Sequence, residues 1–201
     1  TKNPTPPSPS DNDYTVTFPD GTEVKYENGI PQTPPPEVPA KRGYTGKWTY
    51  TAGADGKLTA KAEYTAVKYK AAITMPGSTT PVDLPFTVED DLAAAVRAYL
   101  ATQTPKAGYY FDFTITENGA TGASVRPTSA GDYAGDVTVT VREVPIEYRV
   151  DFYAAGVKVG STTYTVENKT ITAPAVPAKL GYTGVWETYT LTTGDVEVRA
   201  V

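Results

Sequence analysis

Residues 36–48 read PEVPAKRGYTGKW and residues 174–186 read PAVPAKLGYTGVW, with ten of thirteen positions identical at a constant offset of 138. A match this dense marks an internal repeat, and the rest of the chain can be aligned around it. Upstream of each copy stands an alternating run, Tyr14-Thr-Val-Thr-Phe18 in the first and Tyr148-Arg-Val-Asp-Phe152 in the second. The offset between these runs is 134, so the later copy carries four extra residues before its motif. Downstream, Ala54-Asp55-Gly56 leads into Leu58, Ala60, Ala62 and Tyr64, and Thr193-Gly194-Asp195 leads into Val196, Val198 and Ala200. Period-two alternation with one apolar face predicts half-buried strands, separated here by turns.

The segment between the copies is a more distant relative. Residues 105–113 read PKAGYYFDF, and Gly108 lies five residues before Phe113, as Gly43 does before Trp48 and Gly181 before Trp186. Phe113 is therefore expected at the tryptophan position. This segment also carries the one convincing helix pattern, with Val88, Leu92, Val96, Tyr99 and Leu100 at helical spacing. Thr87 is expected to cap it, with Glu89, Asp90 and Asp91 in its first turn and Pro105 beyond its end. Each of the three segments thus reads strand, strand, crossover, strand, strand. The crossover is helical in the middle segment and proline-rich in the outer two, where fixed backbone angles lower unfolded-state entropy.

Composition points the same way. Leu, Ile, Val and Phe make up only roughly 18% of residues, near the level at which chains fail to fold. Fifteen tyrosines, two tryptophans and a modest net charge of -5 restore a globular reading, with small cores that lean on aromatic rings. Thr, Val and Tyr favour strands, while the 17 glycines and 18 prolines punctuate them. The fold class is mostly β with one helix, as tandem small β-grasp-like modules in an elongated array. The expected divisions are a proline-rich linker over residues 1–12, a first repeat over 13–66, a divergent helix-containing module over 67–145 and a third over 146–201. The linker and the lack of a visible leader read as a mature piece of a longer protein.

The outer segments resemble the Listeria–Bacteroides (InlB B-type) repeats of bacterial surface proteins. The residues that carry the likeness are the strand Tyr14–Phe18, the block from Pro39 to Trp48 and the closing run from Lys57 to Tyr64, with their counterparts from Tyr148, Pro177 and Val196 onward. The middle segment departs from the pattern through its helix and its Tyr110-Phe111-Asp112. Gly46 and Gly184, two residues before tryptophan, also alter the usual form. The resemblance implies a β-grasp-like module strung in tandem on cell-wall or secreted proteins, with a spacer or adhesion role and an extracellular location.

Chemistry is sparse. The chain has no histidine and no cysteine, which excludes zinc fingers, disulfide scaffolds, and mechanisms that need a histidine base or a cysteine nucleophile. An acidic balance is wrong for a nucleic-acid partner, and no apolar run approaches the roughly 18 residues of a membrane span. Gly43, Gly108 and Gly181 are expected where the third strand is entered through a left-handed or closely approached backbone, since no phosphate-binding pattern follows them. Trp48, Trp186 and Phe113 are read as core anchors, with sugar stacking as the alternative. Tyr44, Tyr109 and Tyr182 follow these glycines, and Tyr44, Tyr50, Tyr182 and Tyr189 are the candidates for an exposed partner surface. Asp11-Asn12-Asp13 spaces oxygen ligands for calcium but lacks the rest of an EF-hand loop, so no metal and no cofactor is expected. No lysine is expected to meet an Asn or Asp in an apolar pocket of the kind that forms isopeptide crosslinks. The acids are too scattered for a glycosidase pair. The sequence reads as a monomeric, non-catalytic spacer or stalk segment. The alternative is an adhesin module that binds host or cell-wall glycan or protein through exposed aromatics.

Overall fold

The computed structural model describes residues 13–53, 57–117 and 133–201. The linker, two residues of the candidate calcium triplet and the Ala54-Asp55-Gly56 turn lie outside the described residues. In β1 (Tyr14–Thr17) the alternation buries Tyr14 and Val16, and in β2 (Glu23–Glu27) it buries Val24 and Tyr26. The strands pair antiparallel with Tyr14 opposite Tyr26 and Val16 opposite Val24, so all four side chains share the core face. Asn28 and Gly29 both adopt positive φ, 50° and 77°, which is the type I′ geometry that folds β2 back onto the two-residue β3 (Ile30–Pro31). An irregular proline-rich stretch then leads to β4 (Tyr44–Ala52), which pairs antiparallel along its length with β5 (Leu58–Ala66). β5 returns parallel to β1, with Val16 opposite Leu58, and the five-stranded sheet is ordered β3-β2-β1-β5-β4.

The middle segment follows with β6 (Tyr69–Thr74), β7 (Val82–Phe86), α1 (Leu92–Leu100), β8 (Tyr109–Glu117) and β9 (Val137–Pro145). Its four-stranded sheet is ordered β7-β6-β9-β8. The last segment has β10 (Tyr148–Ala154), β11 (Val157–Tyr164) and β12 (Val196–Arg199), ordered β11-β10-β12. β10 pairs antiparallel with β11 and parallel with β12. One rule covers all three sheets: the first strand of the segment is central, flanked by its second and its last. The chain is mostly β, and α1 is its single helix among the described residues. Two compact units divide it. One holds the chain up to Ala72 with Val82–Ala95 and Ile115–Thr138, and includes the whole five-stranded sheet. The other holds Ile73–Pro81, Val96–Thr114 and Val139–Val201, and includes the whole three-stranded sheet.

Two local expectations are corrected. The helix begins at Leu92, so Glu89, Asp90 and Asp91 precede its first turn. Asp91 is the cap, its carboxylate accepting the Ala94 N–H at 2.9 Å, because Thr87 is already engaged in a turn of its own with Asp90. In the last segment GYTGVW does not form a strand like β4. Its bridges are isolated, Tyr182 with Lys179 and Trp186 with Ala200, and Val185 exchanges two backbone hydrogen bonds with Val201. In the first copy Tyr44 to Gly46 pair with Ala66 to Tyr64, and among the described residues no such ladder forms opposite Tyr182 to Gly184.

Each outer core is organised around an aromatic pair. Trp48, 2% exposed, meets Phe18 edge-on at 5.2 Å, and Trp186 meets Phe152 at 5.0 Å. Each indole N–H donates to a proline carbonyl twelve residues earlier, Trp48 to Pro36 at 2.8 Å and Trp186 to Pro174 at 2.7 Å. Those bonds tie the proline-rich stretch down onto the sheet. Tyr14 stacks on Tyr26, and burial raises the pKa of both hydroxyls.

Truncating so large a buried ring is expected to cost about 3–5 kcal/mol in Trp48→Ala. Trp48→Phe keeps most of the packing and forfeits the hydrogen bond, about 1 kcal/mol plus the carbonyl left unpaired. Urea unfolding followed by far-UV circular dichroism measures both. A loss below about 1 kcal/mol for the alanine variant contradicts the anchoring role assigned to this residue.

Candidate functional site

Gly43, Gly108 and Gly181 occupy one recurring structure, a Lys-x-Gly-Tyr turn. In each, the tyrosine N–H donates to the lysine carbonyl at 3.0 Å: Tyr44 to Lys41, Tyr109 to Lys106 and Tyr182 to Lys179. The glycine is the third residue, with φ of 78°, 84° and 79°. This is the position of a type II turn that requires a left-handed backbone.

Two of the three turns are engaged in the same way. A Cβ built on Gly43 would overlap Val88 Cγ1, and one built on Gly108 would overlap Val166 Cγ1. The missing side chain is thus a socket for a valine. Beside it, the Tyr44 hydroxyl donates to Glu89 Oε1 at 3.0 Å, and the Tyr109 hydroxyl donates to Glu167 Oε1 at 3.0 Å. A backbone bond closes each joint, with Val67 N–H donating to Gly43 O at 2.9 Å and Ile146 N–H donating to Gly108 O at 2.8 Å. The incoming piece also recurs, as Thr87-Val88-Glu89-Asp90 and Thr165-Val166-Glu167-Asn168. Each threonine hydroxyl accepts the N–H of its glutamate, at 3.2 and 3.3 Å, which sets the valine and glutamate side by side. The three acids ahead of the helix are therefore all employed: Glu89 in the joint, Asp90 on Thr87 and Asp91 as cap.

The third turn differs. Around Gly181 nothing lies within 4 Å of the Cβ direction among the described residues, and Tyr182 is 70% exposed. Lys179 Nζ sits 4.2 Å from the Tyr182 ring centroid, much as Lys41 sits 3.8 Å from that of Tyr44. A groove of about 600 Å³ adjoins the turn, lined by Val157, Val176, Pro177, Lys179, Tyr182, Gly184 and Val201 among others.

The remaining candidates divide. Trp48 is buried and Trp186 half-buried, both within cores, while Phe113 is half-buried with the Arg97 guanidinium 5.9 Å over its ring. On that strand the fully buried residue is Ile115. Of the four tyrosines expected on a partner surface, Tyr50 and Tyr189 pack against the outer cores and Tyr44 lies in a joint, which leaves Tyr182 exposed. Lys158 Nζ does approach a buried carboxylate, Asp151 Oδ1 at 2.8 Å. The lysine is half-exposed, and hydrogen bonds from Lys158 and Ser161, with Arg149 nearby, hold the Asp151 carboxyl below its usual pKa. That arrangement is an ion pair. Among the described residues no group of three Asp or Glu side chains could hold a metal, and no helix is long and apolar enough to cross a membrane. The Thr-Val-Glu pieces are legible in the sequence as a repeated tripeptide, but nothing in their spacing links them to the glycines they meet. No family model, curated protein or solved structure matches the chain.

The three glycines form an internal comparison. Gly181→Ala is expected to cost only the left-handed backbone penalty, about 1–2 kcal/mol. Gly43→Ala and Gly108→Ala add an overlap with valine, a further 1–3 kcal/mol or so. Equal losses at all three positions, measured by chemical denaturation, would show that the sockets are not load-carrying contacts.

Alkaline titration probes the tyrosines. The Tyr44 hydroxyl is raised above its ordinary pKa by burial and by Glu89, and that of Tyr109 by its hydrogen bond to Glu167 and by burial. An unfolded tyrosine ionises near pH 10, so the unfolded state loses its protons first as pH rises. Stability from these groups is present in full below about pH 10 and declines above it. Lys106, raised by Glu143, acts in the same direction. A Tyr44→Phe/Tyr109→Phe double variant is expected to lose stability less steeply between about pH 9.5 and 11.5 than the parent. An unchanged slope would remove the joints from this account.

Proposed function

We propose that the chain is a non-catalytic spacer of a bacterial cell-surface or secreted protein, built from three β-grasp-like modules that follow one another along the chain. The observation that carries this reading is the repeated joint, in which Gly43 receives Val88 and Gly108 receives Val166 with the same tyrosine–glutamate bond beside each. A segment whose work is to hold other domains at a distance needs stiff connections between small units. A socket closed by one side-chain packing contact and two hydrogen bonds leaves little hinge freedom. The strand order shared by the three sheets supports the modular reading, and so does a turn aspartate that meets the start of the central strand: Asp136 accepts the Lys70 N–H and Asp195 the Arg149 N–H. The resemblance of the outer segments to Listeria–Bacteroides repeats agrees with it.

A second reading, an adhesin for glycan or host protein, rests on Tyr182, the exposed member of the tyrosine series.

Because the chain has no cysteine, spin labels can be placed cleanly. Lys61→Cys and Asp83→Cys, both exposed, report on the first joint. Pulsed electron–electron resonance is expected to give one narrow distance distribution that broadens on Gly43→Ala. A broad distribution in the parent would argue against a stiff spacer. Glycan arrays and matrix-protein pull-downs are expected to be silent, and binding abolished by Tyr182→Ala would favour the adhesin.

A further inference from the structure

Each outer sheet places the first and last strands of its segment side by side and parallel. β1 pairs with β5, Val16 opposite Leu58 and Thr17 opposite Thr59. β10 pairs with β12, from Val150 opposite Val196 to Tyr153 opposite Arg199. Tension along the chain enters a segment at the start of its first strand and leaves at the end of its last. In a parallel pair those two points lie at opposite ends of the ladder. The strands must then slide past each other, and the hydrogen bonds between them share the force. An antiparallel pair pulled from its open end yields one rung at a time.

A sheared pair fails first at its ends, where force passes from one strand to the other, and the third segment is fastened at both. Where tension enters, the Arg149 N–H donates to Asp195 Oδ1 at 2.7 Å, a short bond to a carboxylate acceptor. The turn that carries Asp195 is itself held, since the Tyr164 hydroxyl donates to Gly194 O at 2.7 Å. Where tension leaves, the Ala200 N–H donates to Tyr153 O at 2.9 Å and prolongs the ladder past Arg199. The first segment has Lys57 at the place of Asp195. A lysine side chain offers no acceptor, and this one pairs with Glu23 Oε1 at 3.1 Å.

We propose that the outer segments are force-bearing clamps of unequal strength: β10 and β12 are fastened at both ends of their ladder, and the first segment is the weaker clamp that yields under tension. This deepens the spacer reading and rests on it, because a tether must be held at both ends to be stretched. Yielding of the first segment lengthens the tether by about 3.5 Å per residue released at most, while the third holds.

Because the chain has no cysteine, optical tweezers can pull between chosen residues through thiol-linked handles, with the full chain kept in every variant. Glu147→Cys with a cysteine added after Val201 shears the third segment. Glu147→Cys with Thr163→Cys unzips β10 from β11, where Arg149 lies opposite Thr163, and both replaced residues are exposed. A cysteine added before Thr1 with Lys68→Cys, also exposed, shears the first segment. Shearing the third segment is expected to need about threefold more force than unzipping it at one loading rate. Asp195→Ala is expected to speed its unfolding under shear about tenfold and to leave the unzipping force unchanged. Asp195→Asn, which keeps an oxygen acceptor, is expected to restore part of the loss. The first segment is expected to open at a lower force than the third, and Lys57→Asp to resist shear longer than Lys57→Ala. Equal forces in the two pulling geometries overturn the clamp. Asp195→Ala weakening both geometries alike makes Asp195 a contributor to stability only, and overturns the fastening. A first segment as strong as the third overturns the order of yielding. Should Asp195→Ala fail to fold, the two geometries of the parent still decide the clamp. Equal forces together with a narrow distance distribution between labels at positions 61 and 83 overturn the clamp alone. A broad distribution together with a strong clamp overturns the spacer reading alone.

Discussion

A single indole N–H reaching a proline carbonyl holds each outer segment together. A small sheet with few aliphatic side chains has little to cover its inner face, and the irregular proline-rich stretch has no backbone ladder of its own to keep it there. Trp48 and Trp186 solve both problems at once, since the ring fills the core against Phe18 or Phe152 while its N–H pins Pro36 or Pro174. Proline is well suited to this role, because it offers a carbonyl and loses little entropy when its path is fixed. The middle segment has no such tryptophan and carries instead a capped helix, on which Leu92, Val96 and Leu100 are buried.

The joints rest on a different economy. A glycine in a left-handed turn has no side chain to place, and the space it leaves is where a neighbouring valine enters. One residue thus reverses the chain, starts a strand and receives the next piece. The tyrosine that follows adds a hydrogen bond to a glutamate whose position is set by a threonine turn two residues earlier. Each element is short and local, so the joint can be repeated along a chain without enlarging any core.

Charge is used sparingly. Ion pairs such as Lys57 with Glu23 and Lys47 with Glu63 lie on exposed strand faces, where they add little stability. Among the described residues the exception is Asp151, buried on β10 and balanced by Arg149, Lys158 and Ser161. Removing one of those partners would leave a charge uncompensated in a dry setting, so the cluster constrains the hairpin more than its exposed counterparts do.

Much of this architecture can be read from the chain alone. The thirteen-residue repeat, the alternation at Tyr14–Phe18 and Tyr148–Phe152, and the 3.6-residue spacing around Leu92 are local patterns, and local patterns determine strands, helix and buried faces. The tight turn at Asn28-Gly29 is equally local. Which acid would cap the helix was not legible, because Thr87 had two competing uses and only packing selects between them. The joints were hidden for a deeper reason. Gly43 and Val88, or Gly108 and Val166, are far apart in sequence, and neither residue carries chemistry that identifies its partner. A socket is an absence of atoms, and its meaning depends on what the folded chain places opposite it.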